Sequence, residues 1–230
     1  MLMKTTCITV ILLLGSLLGM GQKLDKEFLL LGTLDEYMGR RLSGENDAKV
    51  DRYYPHEGGI ASVIYSLFKK KYPDLEYTME ASGHKKLLSK KLSVKVNNYF
   101  LLEQKNGSRT LINNQWVPIY NGNLKEDVFK SDKQRCSYLA GAFLRYGRVQ
   151  GDSVRIIHFA NSGGKVEVCK KLLEQLGCKD IKFVSEDRIP RSNTFSFVPT
   201  KKLEAFLQKA MKLRKETPMQ NPNQLTYPIR

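Results

Sequence analysis

The chain has 230 residues, of which 41% are hydrophobic and 10% aromatic, enough apolar material for a sizeable core and too much for an intrinsically disordered chain. Its 38 Lys and Arg against 23 Asp and Glu give a net charge of +15. That balance favours polyanionic partners: DNA, RNA, an anionic surface or an acidic polysaccharide.

Residues 1–22, MLMKTTCITVILLLGSLLGMGQ, carry one lysine, an apolar run from Ile8 to Leu18, and small residues at Gly19 and Gly21. This is the layout of a secretory signal peptide with a cut near Gly21 or Gln22, and the run is short for a membrane span. An exported or periplasmic protein is the direct expectation. If the segment is retained, a cytosolic or organellar location is the alternative.

From Lys23 to Leu42 the sequence is helical in character, with acids early and Arg40 and Arg41 late, as the helix dipole prefers. Residues 43–56 are polar and turn-rich. A second helix is expected in GGIASVIYSLFKKKYP, where Ile60, Val63, Ile64, Leu67 and Phe68 share one face and Pro73 ends it. A strand is expected within LEYTMEASG. In KLSVKVNN, Leu92, Val94 and Val96 alternate with Ser93, Lys95 and Asn97, which predicts a strand from Leu92 to Gln104. The pair Asn106-Gly107 then predicts a hairpin turn into a strand from about Arg109 to Tyr120.

A second set of elements begins at Ser131 or Asp132, either of which suits an N-cap, with the helix SDKQRCSYLAGAFLRYG. The strand SVRIIHFAN follows. Next is a helix, GKVEVCKKLLEQLG, stopped at Gly177. The strands DIKFVSED and NTFSFVPT lead to an amphipathic helix from Lys201, with Leu203, Phe206, Leu207, Ala210 and Leu213 on one side. Outside the leader, Cys136, Cys169 and Cys178 have no metal-ligand spacing. Cys136 and Cys169 suit buried helix faces, and a Cys169–Cys178 bridge requires the chain to double back. His56, His84 and His158 are far apart and form no ligand pattern.

The stretch LAGAFLRYG, Leu139 to Gly147, resembles the signature of the LAGLIDADG homing endonucleases through Leu139, Ala140, Gly141 and Gly147. LLGTLDEYMG, Leu30 to Gly39, is similar to the variant of that signature beginning Leu-Leu-Gly-Thr-Leu, with Gly32 opposite Gly141, 109 residues away. The elements after Gly147 also follow the family's order, to about Lys212, and they are similar to the degenerate domain of bacterial sporulation regulators.

The resemblance implies an α+β fold of two pseudo-symmetric αββαββ repeats, with motif helices at a shared interface and curved antiparallel sheets. The organisation would be a leader (1–22), a first repeat (23–124), a second repeat (125–214) and an extended tail (215–230). A monomer with an internal pseudo-twofold is the implied state. Small residues at Gly32, Ala140 and Gly141 would let two helix backbones approach closely, offsetting glycine's helix cost of about 1 kcal/mol.

In active members the eighth motif position is an acid on each helix, and the pair holds divalent metal over the scissile phosphates. Here that position is Tyr37 in the first motif and Tyr146 in the second. A neutral phenol is a poor Mg²⁺ ligand. Asp35 and Glu36 are the remaining candidates for catalysis, but one helical position rotates a side chain by about 100° away from the axis. No catalytic residue and no cofactor is therefore expected, with Mg²⁺ entering only if cleavage survives.

The implied sheets lie along nucleic acid, with alternate strand residues facing it. Candidate contacts are Lys90, Lys91, Lys95, Asn97, Arg109, Arg155, Lys182, Thr194 and Ser196 in strands, with Arg188 and Arg191 in the last loop. Trp116, Tyr120 and Tyr99 offer ring faces that can stack on bases. The leading expectation is a non-cleaving nucleic-acid-binding protein for duplex DNA or structured RNA. The alternatives are an exported basic binding or structural protein using the same fold, and an active homing endonuclease or intron maturase.

Overall fold

The computed structural model describes residues 23–35, 40–44, 47–104, 106–160, 162–187 and 191–216. The proposed leader and the proposed tail from residue 217 onward, and with them Glu36, Tyr37 and Arg188, lie outside the described residues, while Lys215 and Glu216, expected in the tail, end the last helix. Among the described residues, six helices and several antiparallel sheets make a mixed α+β fold around one continuous apolar core that runs from Phe28 to Ala210.

Helix α1 is Lys26–Thr33, capped by Asp25, whose carboxylate accepts from the N–H groups of Glu27 and Phe28. All six residues from Phe28 to Thr33 are buried, so packing rather than propensity holds this short helix. The helix stops well before the expected Leu42. Leu34 turns to an extended ψ of 134°, and the carbonyls of the last turn are taken by side chains from elsewhere in the chain, as described below. Arg40–Leu42 forms strand β1 instead. Lys49–Tyr53 is β2, inside the stretch expected to be turns, and a 3-10 turn at Pro55–Glu57 leads into α2, Gly58–Phe68.

Strands β3 (Glu76–Met79) and β4 (Lys85–Leu88) form a hairpin, and β4 also pairs with β2, giving the order β2-β4-β3, all antiparallel. The next segment corrects the expected strand: Lys90–Asn97 is helix α3. Ser89 caps it by accepting from the Leu92 N–H, and Leu92, Ser93 and Val96 are buried while Val94 is 40% exposed. The alternation of Leu92, Val94 and Val96 coincides with a helical i, i+4 pair, and the local serine cap decides between the two readings.

Strands β5 (Phe100–Glu103), β6 (Arg109–Ile112), β7 (Gln115–Pro118) and β8 (Tyr120–Leu124) form one long hairpin in two segments. Its tip is not Asn106-Gly107. The two-residue turn is Asn113-Asn114, with φ of 49° and 61°, the pair of left-handed residues that a tight hairpin turn demands. Asn106 and Gly107 are left-handed too, at 51° and 63°, and they interrupt the rising strand between β5 and β6. β1 joins β8 to make the sheet β1-β8-β5.

Helix α4 is Asp132–Tyr146, capped by Ser131, and every residue from Cys136 to Arg145 is buried. A helix enclosed over that length lies at the centre of the molecule. Strands β9 (Gly147–Gln150) and β10 (Val154–Ala160), helix α5 (Gly163–Gln175), strands β11 (Lys179–Glu186) and β12 (Ser192–Val198), and helix α6 (Lys201–Glu216) complete the chain. Their sheet has the antiparallel order β11-β12-β10-β9. Cys136, Cys169 and Cys178 are all free thiols, so the considered Cys169–Cys178 bridge is absent.

Candidate nucleic-acid interface

Helices α1 and α4 run side by side in the same direction. At the start of the seam the Asp25 N–H donates to Ser137 Oγ, and at its end Arg145 reaches the Thr33 carbonyl. Midway the two glycines meet. A methyl group on Gly32 would strike the Tyr138 carbonyl oxygen and come within 2.8 Å of the Ala142 nitrogen. One on Gly141 would strike the Leu29 carbonyl oxygen and lie 3.1 Å from Gly32 Cα. The obstructing atoms are backbone, which no rotamer change can move aside. Ala140 is fully buried in the same helix.

Beyond the crossing, the C-terminal ends of both helices enter a buried polar cluster built on Arg145. Its guanidinium spends five hydrogen bonds, matching its five donors. Nε and Nη2 donate to the two carboxylate oxygens of Glu57 at 2.9 and 2.7 Å. Nη1 donates to Asp51 Oδ2 and the Thr33 carbonyl, both at 2.8 Å, and Nη2 also donates to the Arg52 carbonyl. Asp35 stands 3.7 Å away. The Arg145 side chain has no exposed surface, and Tyr53 stacks over it at 4.5 Å. Beside it, the Lys165 amine donates to the carbonyls of Gly32 at 2.7 Å and Leu31 at 3.4 Å. Two cations from the second half thus close the C-terminus of α1, where the helix dipole favours positive charge. Burial holds the Lys165 amine down, to about 8.

Tyr146 packs its ring against Phe159 at 5.1 Å, and its buried hydroxyl makes no hydrogen bond. Burial pushes this phenol well above its ordinary value, which leaves it neutral and unsuited to metal. Asp35 does not sit on the helix as expected, since α1 ends two residues earlier. Its N–H donates to Asp51 Oδ1. The oxygens of Asp51 and Glu57 already receive Arg145, so a divalent cation among them would have to displace a guanidinium. Among the described residues no group of three His, Cys, Asp or Glu is placed to hold a metal ion.

The predicted contact residues separate into distinct places. Lys182, Thr194 and Ser196 come together on the open face of the β11-β12-β10-β9 sheet, because Lys182 pairs with Ser196 and Thr194 lies two residues along. Ser196 pairs in turn with Ile156, and Ile156 with Arg148, so one row reads Lys182, Ser196, Ile156, Arg148. The neighbouring row carries Val184, Thr194 and the exposed His158, which bonds to Thr194 at 2.8 Å. The opposite face, with Phe195, Phe197, Ile157 and Phe159, is core. Arg155 belongs to that buried face and is paired with Glu204 at 2.6 Å, so it is not a contact residue.

Lys90, Lys91, Lys95 and Asn97 are corrected with their element: they lie on α3. Lys90 and Lys91 are exposed, whereas Lys95 leans toward Glu27 at 3.6 Å and over the Tyr99 ring. Arg109 is exposed on β6, and exposed Arg191 lies 3.8 Å from Asp187. Tyr99 donates to Glu27 at 2.8 Å and is half-buried.

Sequence reading missed Arg148, and it missed Arg52 and Lys86, which are cross-strand partners on the β2-β4-β3 sheet. Arg52 and Lys86 both pair with Glu80. Val50 and Asp51 are both buried across the bulge between Lys49 and Asp51, which breaks the alternation that would have set Arg52 apart as outward. Arg145 and Lys165 were missed because nothing in a lone basic residue near a helix end signals burial.

No family model matches the sequence, and no curated protein matches it. Among solved structures the chain is similar to a variant of I-DmoI, a LAGLIDADG homing endonuclease, solved in complex with its target DNA in the presence of manganese. That match has a TM-score of 0.49 and 11% identity and covers 84% of this chain and 97% of the other.

Proposed function

We propose that this protein binds nucleic acid, duplex DNA or structured RNA, through the open faces of its two principal sheets, and does not cleave it with metal. The observation that carries the reading is the Arg145 cluster beside two polar sheet faces. The carboxylates at the ends of the seam helices are neutralised inside the protein, while basic residues stand outward on the strands around them. Two repeats are the organisation we infer: the order β2-β4-β3 corresponds strand for strand to β10-β12-β11, each set preceded by a helix whose glycine sits at the seam. The first repeat would then end with α3, and the β5–β8 hairpin would be an addition between repeats. This differs from a first repeat extending to residue 124.

Arg52 and Lys86 on one sheet, and Arg148 and Lys182 on the other, are the residues offered to phosphates, and the net charge of +15 supplies the long-range attraction. Thr194, Ser196 and His158 add hydrogen-bonding groups that reach either phosphate or base edges. An exported location, proposed from the apolar leader, does not alter this chemistry, because the electrostatic attraction is to any polyanion of suitable charge density. The test is a titration of labelled mixed-sequence duplex and hairpin RNA at increasing salt with heparin as a competing polyanion. Saturable binding that weakens log-linearly with salt supports the reading. Absence of binding at low salt, or equal preference for heparin, defeats it.

A further inference from the structure

The β6–β7 ribbon exposes apolar side chains that its fold leaves uncovered. Leu111 and Trp116 are direct cross-strand partners, 53% and 66% exposed, and the next pair on the same face is Arg109 with Pro118. Ile112, 41% exposed, pairs with Gln115 on the other face. At the extreme end stand Asn113, Asn114 and Gln115, all exposed. A two-stranded ribbon cannot bury its own faces, and a cluster of exposed Trp, Leu and Ile marks a contact surface.

Two features choose the partner. The first is charge: Arg109 shares the Trp116 face, in a chain of net charge +15. The second is the order of side chains from the tip. A bilayer would have to accept three uncharged amide side chains ahead of the apolar ones, and unpaired amides are costly in hydrocarbon. Nucleic acid offers those amides base edges to bond, and it offers the ring a base to stack on.

We propose that this ribbon is a nucleobase-contacting arm. Trp116 stacks on an unpaired or locally unstacked base with Leu111 packed beside it, Arg109 meets the backbone phosphate, and Asn113, Asn114 and Gln115 bond the neighbouring base edges. The proposal rests on the nucleic-acid reading above and adds a base-stacking element to it. It follows that a strand with accessible bases is preferred over an intact duplex by this arm.

Trp116 is the chain's single tryptophan, so intrinsic fluorescence of the full-length protein reports on this one position. The experiment titrates the protein with a mixed-sequence single-stranded oligonucleotide, its duplex, and phosphatidylglycerol vesicles, while anisotropy of a labelled oligonucleotide measures binding independently. The expected result is quenching by the single strand with the same midpoint as the anisotropy curve, weaker quenching by duplex, and no emission shift with vesicles. Because the side chain is exposed, Trp116→Ala should fold normally and bind the single strand about ten-fold more weakly, with Trp116→Phe intermediate. Anisotropy binding with unchanged emission and an unimpaired Trp116→Ala overturns the arm and leaves nucleic-acid binding standing. No anisotropy binding of the single strand alone overturns the arm, and no anisotropy binding of single strand or duplex at low salt overturns both. A blue shift on vesicles without oligonucleotide quenching replaces the arm's partner with a membrane and so overturns the proposal.

Discussion

Replacing Arg145 by methionine keeps most of the side chain's length and removes its charge and all five donors. Asp51 and Glu57, whose side chains are 2% and 7% exposed, would then be buried carboxylates that have lost their guanidinium, and the carbonyls of Thr33 and Arg52 would lose a donor. Breaking a buried ion pair by removing one partner costs about 3–5 kcal/mol, and a stranded buried carbonyl adds about 1 kcal/mol or more. A loss of roughly 4–6 kcal/mol is therefore expected, a large part of the roughly 5–15 kcal/mol that holds such a protein folded. Arg145→Lys keeps the charge but has three donors on a point ammonium and should lose roughly half as much. Urea denaturation followed by far-UV circular dichroism measures both. Arg148→Met, three residues along and exposed, is the control and should stay within about 0.5 kcal/mol of the parent. If Arg145→Met costs less than about 1 kcal/mol, the guanidinium does not hold the two helix ends together.

Gly141→Ala should destabilise by about 3 kcal/mol or more, because the added methyl meets backbone on α1. In an uncrowded helix the same change would stabilise by about 0.5–1 kcal/mol, so the sign alone of the shift in thermal midpoint is decisive. Lys165 gives a pH prediction. Its amine is held down to about 8 when folded, against 10.5 otherwise, so between those values the unfolded chain binds more protons and stability rises with pH at this site. The stability difference between the parent and Lys165→Met should grow from pH 8 to 10 in parallel urea titrations; a flat difference would show that the amine is not desolvated. Glu80→Gln should tighten nucleic-acid binding by freeing Arg52 and Lys86 from their shared carboxylate, and weaker binding in an anisotropy titration would remove that sheet from the interface. Lys182→Ala should lower affinity uniformly across sequences and reduce the salt slope by about 1, which a salt series measures directly.

The second half of the fold was legible because its signals agree with one another. Ser131 caps α4, the strand from Val154 to Ala160 is largely apolar, the strand from Ser192 to Val198 alternates Phe195 and Phe197 with Thr194 and Ser196, and Leu203, Phe206, Leu207 and Ala210 recur at helical spacing. The first half misled where two local rules compete. Leu92, Val94 and Val96 satisfy a strand by alternation and a helix by i, i+4, and only the Ser89 cap separates them. Two left-handed pairs, Asn106-Gly107 and Asn113-Asn114, compete for one hairpin tip, and the more familiar turn sequence lost. The length of α1 was overestimated because its end is set by Arg145 and Lys165, more than 110 residues away in sequence. For the candidate site, the outward residues Lys182, Thr194 and Ser196 followed from alternation along strands. Arg155 failed the same rule, since a buried arginine and an exposed one read alike until Glu204 is found beside it.

Binding and the lack of metal-dependent cleavage are both addressed by one experiment. An end-labelled mixed-sequence duplex is incubated with the purified protein at low salt in Mg²⁺ and in Mn²⁺, with complex formation read by anisotropy and strand integrity by denaturing electrophoresis of the same samples. The prediction is a saturable complex that dissociates as salt rises, with the strands intact in both metals. Strand scission that requires the metal, or no complex at low salt, would contradict it.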